Sequence, residues 1–436
     1  MNNDYNFKNY IMSAVKDLGF KEFTDIQKRV FENIKSNKNI LAKSKTGSGK
    51  THAFLLPIFN ELDPKVNQVF ATIVAPTKEL AQQIYKMAQH IASFSPDTIN
   101  IKLFVSGTDR DREIEKLKNN IPHIVIGTPG KIKDLAIDEN ILKIYTSKYL
   151  VIDEVDMAFD GGYLEDLDAI SGVLNNSRFM FFSATISDSI MPFIKKYMTN
   201  VELIDLENVN DTKIDHIWIP LKHKEKSELL LDLTKAINPY LCIVFVNKKE
   251  AVNDVLSLLL NNGYKAVSLH GDLSSRERKR VLADLNNLKY QFLVATDLAS
   301  RGIDIEGVSH IINYDLPVNY EFYIHRSGRT GRMYNDGIVY SFYDELNDEY
   351  LDNLNKKGIK PKYYEIKNKE LIEYKGRNTR SNRVKPQTNY AKEAAKYIPK
   401  DKKVKPGYKK KRQAQIDDLA QRLKRNDMKK KKRRYY

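Results

Sequence analysis

One stretch restricts the fold of this chain more than any other. The apolar run Asn39–Ala42 passes directly into Lys43–Thr51, KSKTGSGKT, and then into the helical pattern HAFLLPIFNEL from His52. Strand, glycine-bearing loop and helix in that order bring backbone N–H groups together on an anion at a helix N-terminus. Gly47 and Gly49 let the backbone approach the anion, Lys50 is placed to reach β- and γ-phosphates, and the Thr51 hydroxyl to ligate Mg²⁺. Ser44 stands where the common pattern carries its first glycine, so the reading needs a second motif.

That motif is YLVIDEVD, Tyr149–Asp156, an apolar strand ending in Asp153 and Glu154. Two carboxylates at a strand's open end suit a Mg²⁺-holding acid and an adjacent base for water, and would be costly without a cation. Further on, IHRSGRTGR places Arg326, Arg329 and Arg332 among Gly328 and Gly331. Glycines between spaced arginines let guanidinium groups dock closely on an anion, so Arg329 and Arg332 are candidate arginine fingers on a γ-phosphate.

The arrangement along the chain predicts two α/β domains. Strand patterns occur at NILA (39), FATIVA (70), IKLFV (101), HIVIG (123), YLVID (149) and FMFFS (179), separated by helical segments. The polar stretch 207–213 reads as a linker. LCIVFV (241), KAVSL (265), FLVAT (292), VSHIIN (308) and GIVYSFY (337) then resume the rhythm. Near-continuous apolar strands alternating with helices imply parallel sheets covered on both faces. The expected boundaries are 1–206, a linker at 207–213, 214–362, and a tail at 363–436.

Charge locates a polyanion-binding region. From Leu371 to Tyr436 there are 24 Lys+Arg against 6 Asp+Glu, a balance of +18, while the rest of the chain holds 48 against 50. A tail so basic and poor in branched aliphatics is expected to be largely disordered and to bind nucleic acid. Within it Ile416, Leu419 and Leu423 recur at helical spacing. The lone cysteine, Cys242, excludes an internal disulfide and a multi-cysteine zinc cluster. No apolar run nears the roughly 20 residues of a membrane helix, and the N-terminus lacks a secretory pattern, so a cytoplasmic location without membrane contact is expected.

Across roughly residues 19 to 343 these motifs, in order, resemble those of DEAD-box ATP-dependent RNA helicases of the bacterial cold-shock type. GFKEFTDIQ resembles the family's Q motif, which implies that Phe20 and Gln27 contact adenine. SKTGSGKT resembles motif I, where a small non-glycine residue is common at the position of Ser44. It implies ATP contacts from Ser44, Lys45, Thr46, Gly47, Ser48, Gly49, Lys50 and Thr51. PTKELA, Ser106–Gly107 and TPGK resemble the motifs that grip one RNA strand, implying contacts from Pro76, Thr77, Lys78, Gly107, Thr128, Pro129, Gly130 and Lys131. LHGDLSSRER and ATDLASRGIDI imply RNA contacts from Gly271, Arg278 and Thr296, with Asp304 on the ATP ribose. Lys50, Asp153, Glu154, Arg329 and Arg332 are then the catalytic set, Thr51 and Asp153 the Mg²⁺ ligands. Asp156, Ser183, Thr185 and His325 are implied to couple two RecA-like domains.

Departures from the family pattern are specific. Val155 replaces alanine at a position expected to be buried and non-catalytic; Lys78 and Lys131 replace arginines and lose the bidentate fork. Phe23 and Asp25 replace two prolines, which puts the stiffness of the Q-motif loop in question, and Tyr5 or Phe7 is the candidate for an upstream adenine-stacking ring. The implied activity is ATP-dependent remodelling of single strands and short duplexes of RNA, in company with ribosomal particles or RNA-decay proteins. A DNA translocase and an RNA-annealing chaperone with a vestigial ATPase are the rivals.

Overall fold

Runs of β-branched and aromatic residues become the strands of two largely parallel sheets, because helices cover both faces of the central strands. The computed structural model describes residues 3–374 apart from 35, 37, 45–46, 175–176, 187–189, 207–213, 301–304, 306, 332–335, 345–346 and 357. In the tail it describes 414–415, 418–419 and 422. The expected linker 207–213, Lys45, Thr46, Asp304, Arg332, Ile416, Leu423 and most of the tail therefore lie outside the described residues.

The first sheet comprises β1 (Asn39–Lys43), β2 (Ala71–Val74), β3 (Ile101–Phe104), β4 (Ile124–Gly127), β5 (Tyr149–Ile152), β6 (Arg178–Ser183) and β7 (Val201–Asp205). Their order is β3-β4-β2-β5-β6-β1-β7, and the pairs β1–β6, β1–β7 and β5–β6 are parallel. The loops leaving β1, β6 and β5 therefore emerge at one end from three adjacent strands, which is why motifs more than 100 residues apart in sequence meet. In open parallel sheets that carboxyl end is where ligands sit. β7 is absent from the sequence expectations: VELID is half-exposed at the sheet edge and lacks a continuous apolar run.

The second sheet holds β8 (Ile214–Pro220), β9 (Cys242–Phe245), β10 (Ala266–Leu269), β11 (Phe292–Ala295), β12 (His310–Asn313), β13 (Gly337–Tyr343), β14 (Lys362–Lys367) and β15 (Glu370–Glu373). Their order is β10-β11-β9-β12-β13-β8-β14-β15. The boundary expected at 362 needs correction, since the folded chain continues to Glu373. Tyr364 and Ile366 alternate onto the core beside Ile219 and Leu230, and a two-residue turn at Asn368–Lys369, with φ of 52° and 65°, leads back into β15. Weak amphipathicity hid these strands among charged residues.

Polar side chains brace both cores from within. Arg178 reaches from β6 to the carbonyls of Asn33 at 2.8 Å and Lys38 at 2.5 Å. Trp218, fully buried on β8, donates its indole N–H to the Tyr323 hydroxyl at 3.3 Å, and that hydroxyl is also bonded to His216 Nδ1 at 2.9 Å. Tyr323 lies on the helix Tyr320–Ser327, so the sheet holds the helix that carries His325 and Arg326.

Gly337 opens β13 where a Cβ would lie 2.6 Å from Thr330 Cγ2 and 2.7 Å from the Gly331 nitrogen. Gly337→Ala is expected to cost about 1–3 kcal/mol through that overpacking, measured as a lower urea midpoint with unchanged slope. An unaltered midpoint would mean the Thr330–Gly331 loop yields freely.

In the tail, Ala414–Gln415, Asp418–Leu419 and Arg422 are helical, and Arg422 pairs with Asp418 at 3.0 Å. No helix among the described residues is long and apolar enough to cross a membrane.

Candidate nucleotide and RNA site

β1 ends at Lys43 and the helix Lys50–Glu61 begins seven residues later. Ser44 explains its own departure from the glycine pattern. Its hydroxyl is 2.8 Å from that of Ser48, closing the loop on itself, and its amide is held by the Ser183 carbonyl at 3.0 Å. Gly49 caps the helix with φ +93°, a left-handed conformation that strains any other residue. Lys50 is buried beneath the loop and donates to the Ser44 carbonyl at 3.1 Å.

Lys50 Nζ also lies 3.2 Å from Glu154 Oε1, joining the two motifs in space. Asp153 and Glu154 follow β5, and both are buried. Glu154 has φ +50°, a strained left-handed backbone of the kind that persists where surrounding structure dictates it. Asp153 accepts from the Glu154 amide at 3.0 Å. Burial foremost, then the neighbouring Glu154 carboxylate, push the Asp153 carboxyl up to about 7 against the pull of Lys50. Val155 is fully buried and contributes packing alone.

Asp156 ties the two sheets together. Its Oδ2 accepts from the Thr185 amide at 2.9 Å and the Thr185 hydroxyl at 2.7 Å, and lies 3.2 Å from His325 Nε2. Burial alone would raise this carboxyl, but His325 and the Thr185 and Ser183 hydroxyls hold it well below the usual range. Ser183 donates to the Thr185 carbonyl at 2.5 Å, fixing the turn after β6. Asp156, Ser183, Thr185 and His325 therefore form one buried chain of contacts from β5 and β6 to the second sheet's helix.

The Q-motif turn packs directly on the phosphate loop. Gln27 is buried, its Oε1 accepting from the Thr24 amide at 2.9 Å and its Nε2 donating to the Gly49 carbonyl at 3.1 Å. Stiffness that two prolines would supply comes from Phe23, buried among Tyr5, Phe7 and Phe31 with ring centroids 5.0–6.0 Å apart. Phe7 and Tyr5 are committed to this cluster, and Phe20 is a half-buried ring packed on the same core.

The expected RNA-gripping residues stand near strand ends, and their cations are engaged with neighbouring carboxylates and carbonyls. Thr77 caps the helix Lys78–Ser93, and Lys78 donates to the Ser106 carbonyl at 2.9 Å, beside Gly107 at φ +85°. Thr128, Pro129 and Gly130 open the next short helix. Lys131 pairs with Glu113 at 2.9 Å, so its ammonium is directed at a carboxylate rather than left to solvent. Gly271 follows β10 with open space where a Cβ would stand, and Thr296 follows β11. Arg278 differs most from expectation: it pairs with Glu79 at 2.5 Å and donates to the Ala299 carbonyl at 2.5 Å, linking the two halves. Glu79 lies inside the quoted PTKELA, yet no local signal marks which distant arginine it meets.

Two of the three arginines after His325, Arg326 and Arg329, lie among the described residues and differ in setting. Arg326 is almost wholly buried and bonded to Asp297, Asn313, Asn247 and the Asp315 carbonyl. Arg329 is buried at the turn that follows, within a short reach of the chain from His325.

Comparison with known proteins agrees with this arrangement. The family description DEAD/DEAH box helicase matches residues 24–193, and that of the helicase conserved C-terminal domain residues 225–334. The chain is 43% identical over 432 residues to the DEAD-box ATP-dependent RNA helicase CshB of Bacillus subtilis, covering 98% of each chain. It is 40% identical to the protein of that name from Listeria monocytogenes, covering 97% of each. Among solved structures it resembles S. cerevisiae Dbp5 bound to RNA and ADP BeF3, with a TM-score of 0.74 and 27% identity, covering 84% of this chain and 95% of that one.

Proposed function

The chain belongs to the DEAD-box ATP-dependent RNA helicases, and we propose that it opens RNA locally by closing its two domains on ATP and one RNA strand. It is an RNA-stimulated ATPase and RNA helicase. The observation that carries the proposed mechanism is the Thr185–Asp156–His325 bridge standing beside the Lys50–Glu154 pair. Hydrolysis and domain contact then share neighbouring residues of one strand end, so neither is complete without the other.

In this reading the amides of Gly47–Gly49 and Lys50 hold the triphosphate, Phe20 and Gln27 read adenine, and Glu154 orients or deprotonates the attacking water. Arg329 and Arg332 stabilise charge developing on the γ-phosphate, and Asp304 accepts from the ATP ribose, by family resemblance. Lys45 and Thr46 complete the phosphate loop on the same ground. Two adjacent buried carboxylates, with Glu154 Oε2 lacking a partner, make a donor set that fits a hard divalent cation. Asp153 and Thr51 would hold Mg²⁺, which when bound supplies charge neutralisation for the phosphates.

RNA is gripped through phosphates and 2′-hydroxyls by Pro76, Thr77, Lys78, Gly107, Thr128, Pro129, Gly130, Lys131, Gly271 and Thr296, giving little sequence preference. Arg278 serves this grip by clamping Glu79 and thereby aligning the two halves of the groove. Ribosomal particles, dense in phosphate, suit the basic tail as a substrate, with RNA-decay proteins as further company.

ATP hydrolysis without nucleic acid, with single-stranded RNA and with matched DNA tests the mechanism. Stimulation of roughly tenfold or more by RNA and little by DNA is expected; equal stimulation by DNA would overturn RNA selectivity. Removing residues 375–436 is expected to weaken RNA affinity about tenfold at moderate salt and to flatten its salt dependence, leaving ATP binding intact. Fluorescence polarisation at two salt concentrations checks this, and unchanged affinity at both would sink it.

A further inference from the structure

We propose that His52 is a positioning residue that couples adenine recognition to the phosphate loop. The inference rests on the reading of Phe20 as an adenine-contacting ring and goes beyond it.

The Q-motif turn lies on one face of the helix Lys50–Glu61. A Cβ on Gly49 would fall 2.6 Å from Gln27 Nε2 and 3.1 Å from Thr24 Oγ1. His52, three residues further on, shares that face. Its ring meets Phe20 edge-to-face, with centroids 5.2 Å apart and planes at 78°. Such a pair contributes through ring geometry as well as area. His52 is also the residue after Thr51 and two after Lys50, in the first turn of the helix that carries the phosphate ligands.

The surroundings keep this ring fixed and neutral. His52 is buried, its Nε2 has no hydrogen-bond partner among the described residues, and the contact its ring makes with Phe20 is one of ring geometry. Burial, then the nearby His90, lower its pKa to about 4. His90, in the last turn of the helix Lys78–Ser93, is itself bonded to Asp17 at 2.9 Å. Asp17 ends the helix Asn9–Asp17, three residues before Phe20. Phe20 is therefore held from two sides, by the chain leaving Asp17 and by the His52 ring. A base stacking on Phe20 bears on His52, and through it on the turn containing Lys50 and Thr51. A nucleotide that fails to seat on Phe20 lacks that push.

The test uses the full chain and three variants, His52→Ala, His52→Phe and Phe20→Ala, in RNA-stimulated hydrolysis of ATP and GTP, with melting temperatures alongside. His52→Ala should raise the KM for ATP about 3- to 10-fold, the range of one aromatic pair. GTP turnover should hardly change, so the ATP-to-GTP ratio of kcat/KM falls by the same factor. His52→Phe keeps the ring contact and should restore the ratio to within about twofold. Equal losses on ATP and GTP, tracking a lower melting temperature, would reduce His52 to a core residue and overturn the proposal. So would an unchanged KM in His52→Ala when Phe20→Ala raises it. If Phe20→Ala also leaves the KM unchanged, the adenine-contact reading falls as well.

Discussion

Replacing Glu154 by Gln should lower RNA-stimulated ATP hydrolysis by about 10²- to 10⁴-fold, the range spanned by loss of a general base, while ATP still binds. The substitution keeps the side chain's length and hydrogen-bonding atoms, so it isolates the carboxylate charge. Glu154 is buried beside Lys50 and its backbone is held at φ +50°, so the side chain is aimed by its surroundings rather than by its own rotamer freedom. Such a backbone costs about 1–3 kcal/mol and persists only where its surroundings impose it, which motivates testing Glu154 for a chemical role. Single-turnover hydrolysis together with a fluorescent-nucleotide binding titration separates the two effects. A loss of only a few-fold would mean that water is activated elsewhere, and weakened binding would make Glu154 part of the nucleotide cradle.

The second large effect belongs to Arg326, and it falls on stability. The guanidinium is 1% exposed, lies 4.9 Å over the Phe245 ring and is held by Asp297, Asn313, Asn247 and the Asp315 carbonyl. Arg326→Ala removes the cation these acceptors were arranged around, and breaking a buried, hydrogen-bonded ion pair costs about 3–5 kcal/mol. The second sheet's domain should therefore unfold at lower urea than it does in the parent chain. Lysine at 326 should not rescue it, because a point charge cannot meet acceptors spread around a planar fork. Arg329→Ala is the contrasting case: hydrolysis should fall with folding preserved. Equal stability of the Arg326→Ala and parent domains would show that the pocket closes or hydrates without penalty.

The contrast between those two arginines shows how much was legible in HRSGRTGR. Spacing and glycines announced that guanidinium groups dock on anions, yet they could not say which anion. Arg326 meets the Asp297 carboxylate beyond β11 and amide and carbonyl oxygens brought to it by β9 and β12, whose register is settled far away in the chain. The Q motif behaves similarly. Gln27 was readable from a contiguous pattern, whereas the role of Phe23 as a substitute for proline stiffness depends on Tyr5, Phe7 and Phe31 arriving from two other segments. Arg278 was read as an RNA ligand from the resemblance of LHGDLSSRER to an RNA-contacting motif. Its Glu79 partner, 199 positions earlier, emerges only when the two sheets stand together.

Sequence alone determined those features whose chemistry lies in consecutive residues. The phosphate loop, the paired carboxylates of YLVIDEVD and most of the parallel strands belong here, because glycine freedom, charge adjacency and apolar runs act over a few positions. Tertiary structure decided what depends on meeting: the convergence of loops from β1, β5 and β6 at one sheet end, the Thr185–Asp156–His325 bridge, and the weakly patterned edge strands β7, β14 and β15. Those strands carry only a few core-facing side chains, such as Ile204, Tyr364 and Ile366, and depend on a neighbouring strand for pairing; nothing within a short window of sequence records which neighbour that is.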